Sequence, residues 1–398
     1  MCNTNSIFLF LLFLASTLFA SSQTNITFRK QRLDSIITRE CGELKTILSF
    51  DEDENMIGIT NYELVNNCWK PVSQVEKFYN AKSLCHQSKN YYWENGFRIL
   101  SSQDDFFYNS LADTTKIISH RWDSLGNLKS YWKLERFYND RGAISKIVSS
   151  EGKPDGYLND SKEEYIYNSS NNLKSLDFYE WKGNEWIIQR SKRTTYNKDG
   201  NIESIVEYES DNPFDKTLYK YGNNGYEIFH YRNKNDSWIL DQKHEVTNTN
   251  HNQILSNVSS YLKDNQWIKN EKLTYNYYKN GNIQTQTKFI HQDGKWIIEE
   301  EHNYDTDGNL IETFNNYHNG IPMEKIKFDF DNNIRLSDVI SNLRHKEEEH
   351  FWFCGDAGYS YLYCFVKKPI AIEFYKWDSS NNLWRQSNKT SFFYSDTN

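Results

Sequence analysis

The sequence predicts an all-β protein: a long antiparallel meander of about 25 strands, built from about twelve two-stranded repeats and coiled as a single sheet. Three observations carry this. One turn motif recurs through most of the chain, at steps of 24–30 residues. The segments between turns alternate polar and apolar residues with period two. The apolar surface comes mainly from rings: aromatics make up 16% of the chain, yet hydrophobic residues total 37% and mean hydropathy is -0.83. Low aliphatic content alone would suggest disorder, but disordered chains are poor in aromatics.

The chain opens with an apolar run, Ile7 to Ala20, followed by the small residues Ala20-Ser21-Ser22. This predicts a cleaved signal peptide over 1–22, in a pattern too short to span a bilayer. Residues 23–49 are expected to start the sheet, and 50–398 to form the repeats. Export permits disulfides. Cleavage leaves Cys41, Cys68, Cys85, Cys354 and Cys364, an odd number that excludes complete pairing within one chain.

The motif is clearest at Tyr304, "YDTDGNL". It returns as "YYKNGNI" at Tyr277, "YNKDGNI" at Tyr196, "YNSSNNL" at Tyr167 and "YNDRGAI" at Tyr138. "FDEDENM" at Phe50, "FDFDNNI" at Phe328 and "WDSSNNL" at Trp377 fit the same phase. Weaker copies stand at Tyr79, Tyr108, Tyr221, Asn248 and Phe353. Halfway between anchors lies a second turn that ends on a ring: Trp186, Trp238, Trp267 and Trp296, with Trp69, Tyr157, Phe214 and Ile321 in phase. Asn-Gly, Asp-Gly and Asn-Asn suit tight turns because they tolerate positive φ. Short-looped neighbours must be antiparallel.

The intervals read as strands. "NIESIVEYES" places Ile202, Val206 and Tyr208 on one face, with Ile205 as an exception. "WIKNEKLTYNY" places Trp267, Leu273, Tyr275 and Tyr277 together by the rule of two. The middle of the ring-bearing face is polar, as at Lys192, Glu271 and Glu300. That suits a wide curl better than a sandwich with an apolar core. Residues 336–350, "LSDVISNLRHKEEEH", read either as an amphipathic helix or as two strands. The repeat phase favours strands.

These features resemble tyrosine-aspartate (YD, or RHS-type) repeats. They are closer still to secreted tandem-repeat proteins of Bacteroidetes, whose copies read "W…Y.YD.NGN". The resemblance covers Phe50 to the end and implies a spiralling β-sheet and an exported protein.

No catalytic residues are expected. "DTDGN" has carboxylates at calcium-loop spacing, but Gly308 precedes Asn309, and Asn316 stands where a closing Glu belongs. "HKEEEH", His345 to His350, spaces its histidines by five rather than four. The expectation is therefore no metal and no cofactor. A formal net charge of -8 gives no electrostatic reason to expect nucleic acid. The candidate binding residues are Trp186, Trp238, Trp267 and Trp296, whose rings suit glycans or envelope and extracellular proteins. The expected role is an exported, non-enzymatic scaffold or interaction surface. Alternatives are a cell-envelope carbohydrate- or protein-binding module using the Trp edge, and a shell or accessory of an RHS-like toxin.

Overall fold

The structure, a computed structural model, describes residues 31–335 and 367–396, except positions 41, 54 and 319. Among them run 24 strands. The first eight are β1 (Gln31–Glu40), β2 (Gly42–Phe50), β3 (Met56–Val65), β4 (Cys68–Tyr79), β5 (Cys85–Glu94), β6 (Phe97–Tyr108), β7 (Thr114–Trp122) and β8 (Leu128–Tyr138). The middle of the chain forms β9 (Ile144–Lys153), β10 (Gly156–Tyr167), β11 (Leu173–Lys182), β12 (Glu185–Tyr196), β13 (Ile202–Glu209), β14 (Asn212–Gly222), β15 (Gly225–Lys234) and β16 (Ser237–Asn248). The last are β17 (Ile254–Lys263), β18 (Gln266–Tyr277), β19 (Ile283–Gln292), β20 (Lys295–Tyr304), β21 (Leu310–His318), β22 (Ile321–Arg335), β23 (Lys367–Asp378) and β24 (Leu383–Asp396). Each strand pairs antiparallel with the next, and β1 pairs with β24. The expected single-sheet meander is therefore present, and its two edges meet. At about 4.8 Å per strand the closed wall measures ~115 Å around.

Among the described residues the turns lie on two rims. On the tyrosine rim, the Asn or Asp after the anchor ring organises the loop. Its side-chain oxygen accepts the backbone N–H groups two and four residues on. Asn168 does so for Ser170 and Asn172, Asn197 for Asp199 and Asn201, and Asp305 for Asp307 and Asn309. Thr249 substitutes its hydroxyl in the Asn248 copy. The fourth loop residue has positive φ, as at Gly200 (82°) and Asn171 (64°), which explains the Gly/Asn preference there. On the tryptophan rim, two-residue turns such as Asn235-Asp236 and Asp264-Asn265 hold both residues at positive φ, 49–60°. That is the turn whose twist matches an antiparallel pair.

The anchor tyrosine has its own task. At most anchors the ladder shifts by one residue, as where Ile166 opposes Ser175 but Tyr167 opposes Leu173, although Tyr221 pairs without a shift. The carbonyl at this shift accepts a hydroxyl from the next repeat. Tyr79 donates to Met56, Tyr108 to Cys85, Tyr138 to Thr114, Tyr167 to Ile144, Tyr196 to Leu173, Tyr221 to Ile202, Tyr277 to Ile254 and Tyr394 to Pro369, at 2.5–2.9 Å. Each bond ties one hairpin to the hairpin before it.

Four expectations are corrected. Ile202 does not share a face with Val206 and Tyr208, because Glu203 is an extra residue between Ile202 and Ser204. "FDFDNNI" at Phe328 is not a bend but lies within β22. "WDSSNNL" at Trp377 does bend, but on the tryptophan rim, between β23 and β24. Trp267 and Leu273 do not share a face. Lys269 opposes Ser260 while Glu271 opposes Ser259, so Asn270 is an extra residue that reverses the alternation. Equivalent bulges fall at Gln189, Asp241 and Glu299. They increase the local twist that coils the sheet. Residues 336–350, including "HKEEEH", and Cys41, Cys354 and Cys364 lie outside the described residues. Cys68 is exposed and Cys85 is buried.

Apolar packing concentrates where the sheet closes. Ile36, Leu48, Met56, Ile59, Leu310, Ile326, Phe328, Ile372 and Phe392 form one buried cluster over β1–β3 and β21–β24. Ile36 faces Phe392 across the seam, and Phe328 faces Ile372. Phe392→Ala is expected to cost about 3–5 kcal/mol, read by urea unfolding, with faster amide exchange in β1 and β24 than in β15. Tyr167→Phe, which keeps the ring and removes the hydroxyl, is expected to cost about 1 kcal/mol in the same assay.

Candidate functional site

The sheet's two faces differ at the tryptophan rim. One, the ring face, carries an aromatic at the second position of several alternate strands: Tyr157 on β10, Trp186 on β12, Trp238 on β16, Trp267 on β18, Trp296 on β20 and Trp384 on β24. The four tryptophans named from sequence thus stand in one row with Tyr157, and Pro213 takes the equivalent place on β14. Phe214 sits at a bulge, between the Glu207–Asp215 and Tyr208–Pro213 pairs.

A cation from two strands back reaches most of these rings. Lys133 approaches Tyr157 (5.2 Å) and Lys162 approaches Trp186 (5.3 Å), whereas Arg190 approaches Phe214 (5.9 Å) on the reverse face. Lys216 approaches Trp238 (5.9 Å), and Lys243 approaches Trp267 (5.4 Å). The intervening strand makes room with small residues: Lys133 lies opposite Ser150 and Lys243 opposite Ser260. Both serines are buried, 2% and 4% exposed, because a lysine stem crosses over them. The sequence does hold this signal, since Lys133, Lys162, Lys216 and Lys243 each stand five residues before an anchor.

The lysines are neutralised locally. Lys133 pairs with Glu135 (2.7 Å), Lys162 with Glu164 (2.9 Å) and Lys243 with Glu245 (3.1 Å). Lys162 also lies 3.8 Å from the Tyr179 ring centre. Burial, then the Glu164 charge, pushes the Tyr179 phenol up to about 12. Trp186 packs edge-on against Trp181 and Trp296 against His291, both at 4.9 Å. Trp238 and Trp267 each stay 37% exposed, and Tyr157 42%. The rings are thus braced on the sheet and still open to solvent. The residue after several of them is an exposed aliphatic on the reverse face: Leu158, Ile187, Ile239 and Ile297.

"DTDGN" is filled from within. Asp305 accepts the Asp307 and Asn309 backbone N–H groups and the Asn309 side-chain amide, all at 2.9–3.0 Å. Those donors occupy the oxygen that a cation would need. Among the described residues no group of three His, Cys, Asp or Glu side chains is placed to hold a metal.

On the reverse face, His230 and His244 meet edge-on at 5.3 Å. Burial lowers both below the ordinary imidazole range, and His244 lowers His230 further. The unfolded chain therefore takes up protons first, near pH 6.5, and stability falls as pH drops from there towards the folded-state values. Denaturant melts between pH 7.5 and 5 should show a smaller loss for His230→Gln/His244→Gln than for the parent.

The chain matches no protein-family model and no curated protein. Among solved structures, a protein of unknown function from Bacteroides fragilis is similar at 12% identity over 29% of this chain and 91% of its own, with a TM-score of 0.25. A DUF3836 family protein from Bacteroides vulgatus is similar at 15% over 27% and 89%, TM-score 0.15. A porin-like protein from Bacteroides uniformis is similar at 12% over 54% and 94%, TM-score 0.26. At these values the residues themselves must carry the functional reading: an all-β tandem repeat closed into a barrel, with one row of braced rings.

Proposed function

We propose that this is an exported, non-enzymatic repeat protein whose closed sheet presents an interaction surface along the tryptophan rim. The observation that supports it is repetition. A ring, a cation and often a carboxylate return together on alternate strands of the ring face. Catalysis needs a singular constellation, whereas an extended surface gains from equivalent contacts. Export is supported by the Ile7 to Ala20 run and the small residues after it.

The open part of Trp238 and Trp267 favours binding over bracing alone, and points to a module of the cell envelope that holds a glycan or a protein. Immersion of the barrel in a bilayer is disfavoured by charge. Lys133, Glu135, Lys162 and Glu164 lie on the ring face, and Lys192, Glu207 and Lys288 on the reverse. A lipid-facing wall needs an apolar band about 25 Å tall, and a mid-membrane lysine there costs ~2–4 kcal/mol.

Fractionation of cells expressing the full chain tests the reading. The mature chain, starting near Gln23, is expected outside the cytoplasm and released from membranes by alkaline carbonate. Retention in the cytoplasm with the leader intact, or extraction only by detergent, would count against it.

A further inference from the structure

We propose that the row of rings is a track for one extended, uncharged, β-linked polysaccharide laid across the strands. This rests on the interaction-surface reading above and names the ligand class for it.

Spacing is the first argument. Tyr157 and Trp186, and then Trp238, Trp267 and Trp296, sit on successive alternate strands, so neighbours within each group are ~9.6 Å apart. That is close to the length of a disaccharide in an extended β-linked glycan, where alternate sugars present the same side. An extended peptide presents the same side every ~6.6 Å and falls out of step after one ring. The sheet also twists between strands. The occupant must therefore turn about its own axis, as a glycosidic linkage allows.

Ring presentation is the second. Cations occupy one part of the Tyr157, Trp186, Trp238 and Trp267 rings and hold them in place. What remains open on each is a single apolar platform, with Trp238 and Trp267 37% and Tyr157 42% exposed. A pyranose offers a flat C–H face to such a platform and hydroxyls at its edge. The exposed turn residues Asn184, Asn235 and Asn265, two or three positions before Trp186, Trp238 and Trp267, supply donors and acceptors for those hydroxyls.

Charge selects the class. Lys133, Lys162 and Lys243 already face Glu135, Glu164 and Glu245. The turn tips pair exposed acids with exposed lysines: Asp236 with Lys234, Asp264 with Lys263 and Asp293 with Lys295. Their charges balance within each turn, which favours an uncharged ligand over a polyanion.

The test uses the mature chain and linear β-1,4-glucan oligosaccharides from disaccharide to decasaccharide, with calorimetry and tryptophan fluorescence. Affinity is expected to climb with each added disaccharide, and Trp238→Ala and Trp267→Ala each to weaken the longest ligand about tenfold. Ile239→Ala, on the reverse face beside Trp238, should leave it unchanged. Urea melts of each variant separate lost folding from lost binding, and Trp267→Phe, which keeps a ring under Lys243, should retain most affinity. Affinity independent of length, unaltered affinity in folded Trp238→Ala, or preference for an acidic polysaccharide would overturn the proposal. So would binding of a proline-rich peptide instead, whose helix repeats every ~9.3 Å. If every glycan is silent but a captured protein is lost with Trp238→Ala and Trp267→Ala, the ligand class falls and the interaction surface stands. If no binding of any kind responds to these variants, both fall.

Discussion

The bond from a tyrosine hydroxyl to the carbonyl of the preceding hairpin is the constraint on which the rest depends. Two bulges interrupt the ladder in a typical repeat, one at the anchor and one in the longer strand. A bulge takes a residue out of regular pairing, and a carbonyl left without a partner is costly away from water. Tyrosine is the side chain long and stiff enough to reach that carbonyl from the next repeat, 23 residues on in the typical copy. The bulges supply twist, and the tyrosines make the twist affordable. A sheet of this length without them would be flat or ragged, and its ring row would not fall in line.

The turns were the most legible part of the chain. The Asn or Asp after each anchor, and Gly or Asn three residues later, announce a loop whose bonds can be written from the sequence alone. The faces were less legible. Period-two reasoning placed Val206 and Tyr208 together correctly but failed for Ile202, because Glu203 is an extra residue between Ile202 and Ser204. It failed between Trp267 and Leu273, because Asn270 looks like any other polar strand residue and nothing local marks it as extra. Phase failed near the C-terminal end for a different reason. "FDFDNNI" has turn chemistry, but Ile326 and Phe328 bury themselves in the seam cluster, and that packing outweighs local preference.

Closure could not be read at all. Ile36 and Phe392 sit near opposite ends of the chain, and neither belongs to a motif. Their pairing follows from the accumulated twist of all the strands between them, which no short window of sequence records. The ring row was half visible. Its tryptophans stood out by phase, while the cations that brace them are ordinary lysines until the strands are laid side by side. The small Ser150 and Ser260, with no obvious purpose in a linear reading, prove to be the floor over which those lysines cross.

Because the first and last strands run antiparallel, the wall holds an even number of staves. Removing one whole cassette would shorten the hoop by two and leave the seam's polarity intact. Dropping a single stave would force the remaining ends to meet head to head in the same direction, a mismatch that the Ile36–Phe392 register does not tolerate. The circumference of such a molecule is therefore quantised in units of the duplicated segment, and gene-level gain or loss of that segment changes the number of rings on the track without touching how the hoop is joined.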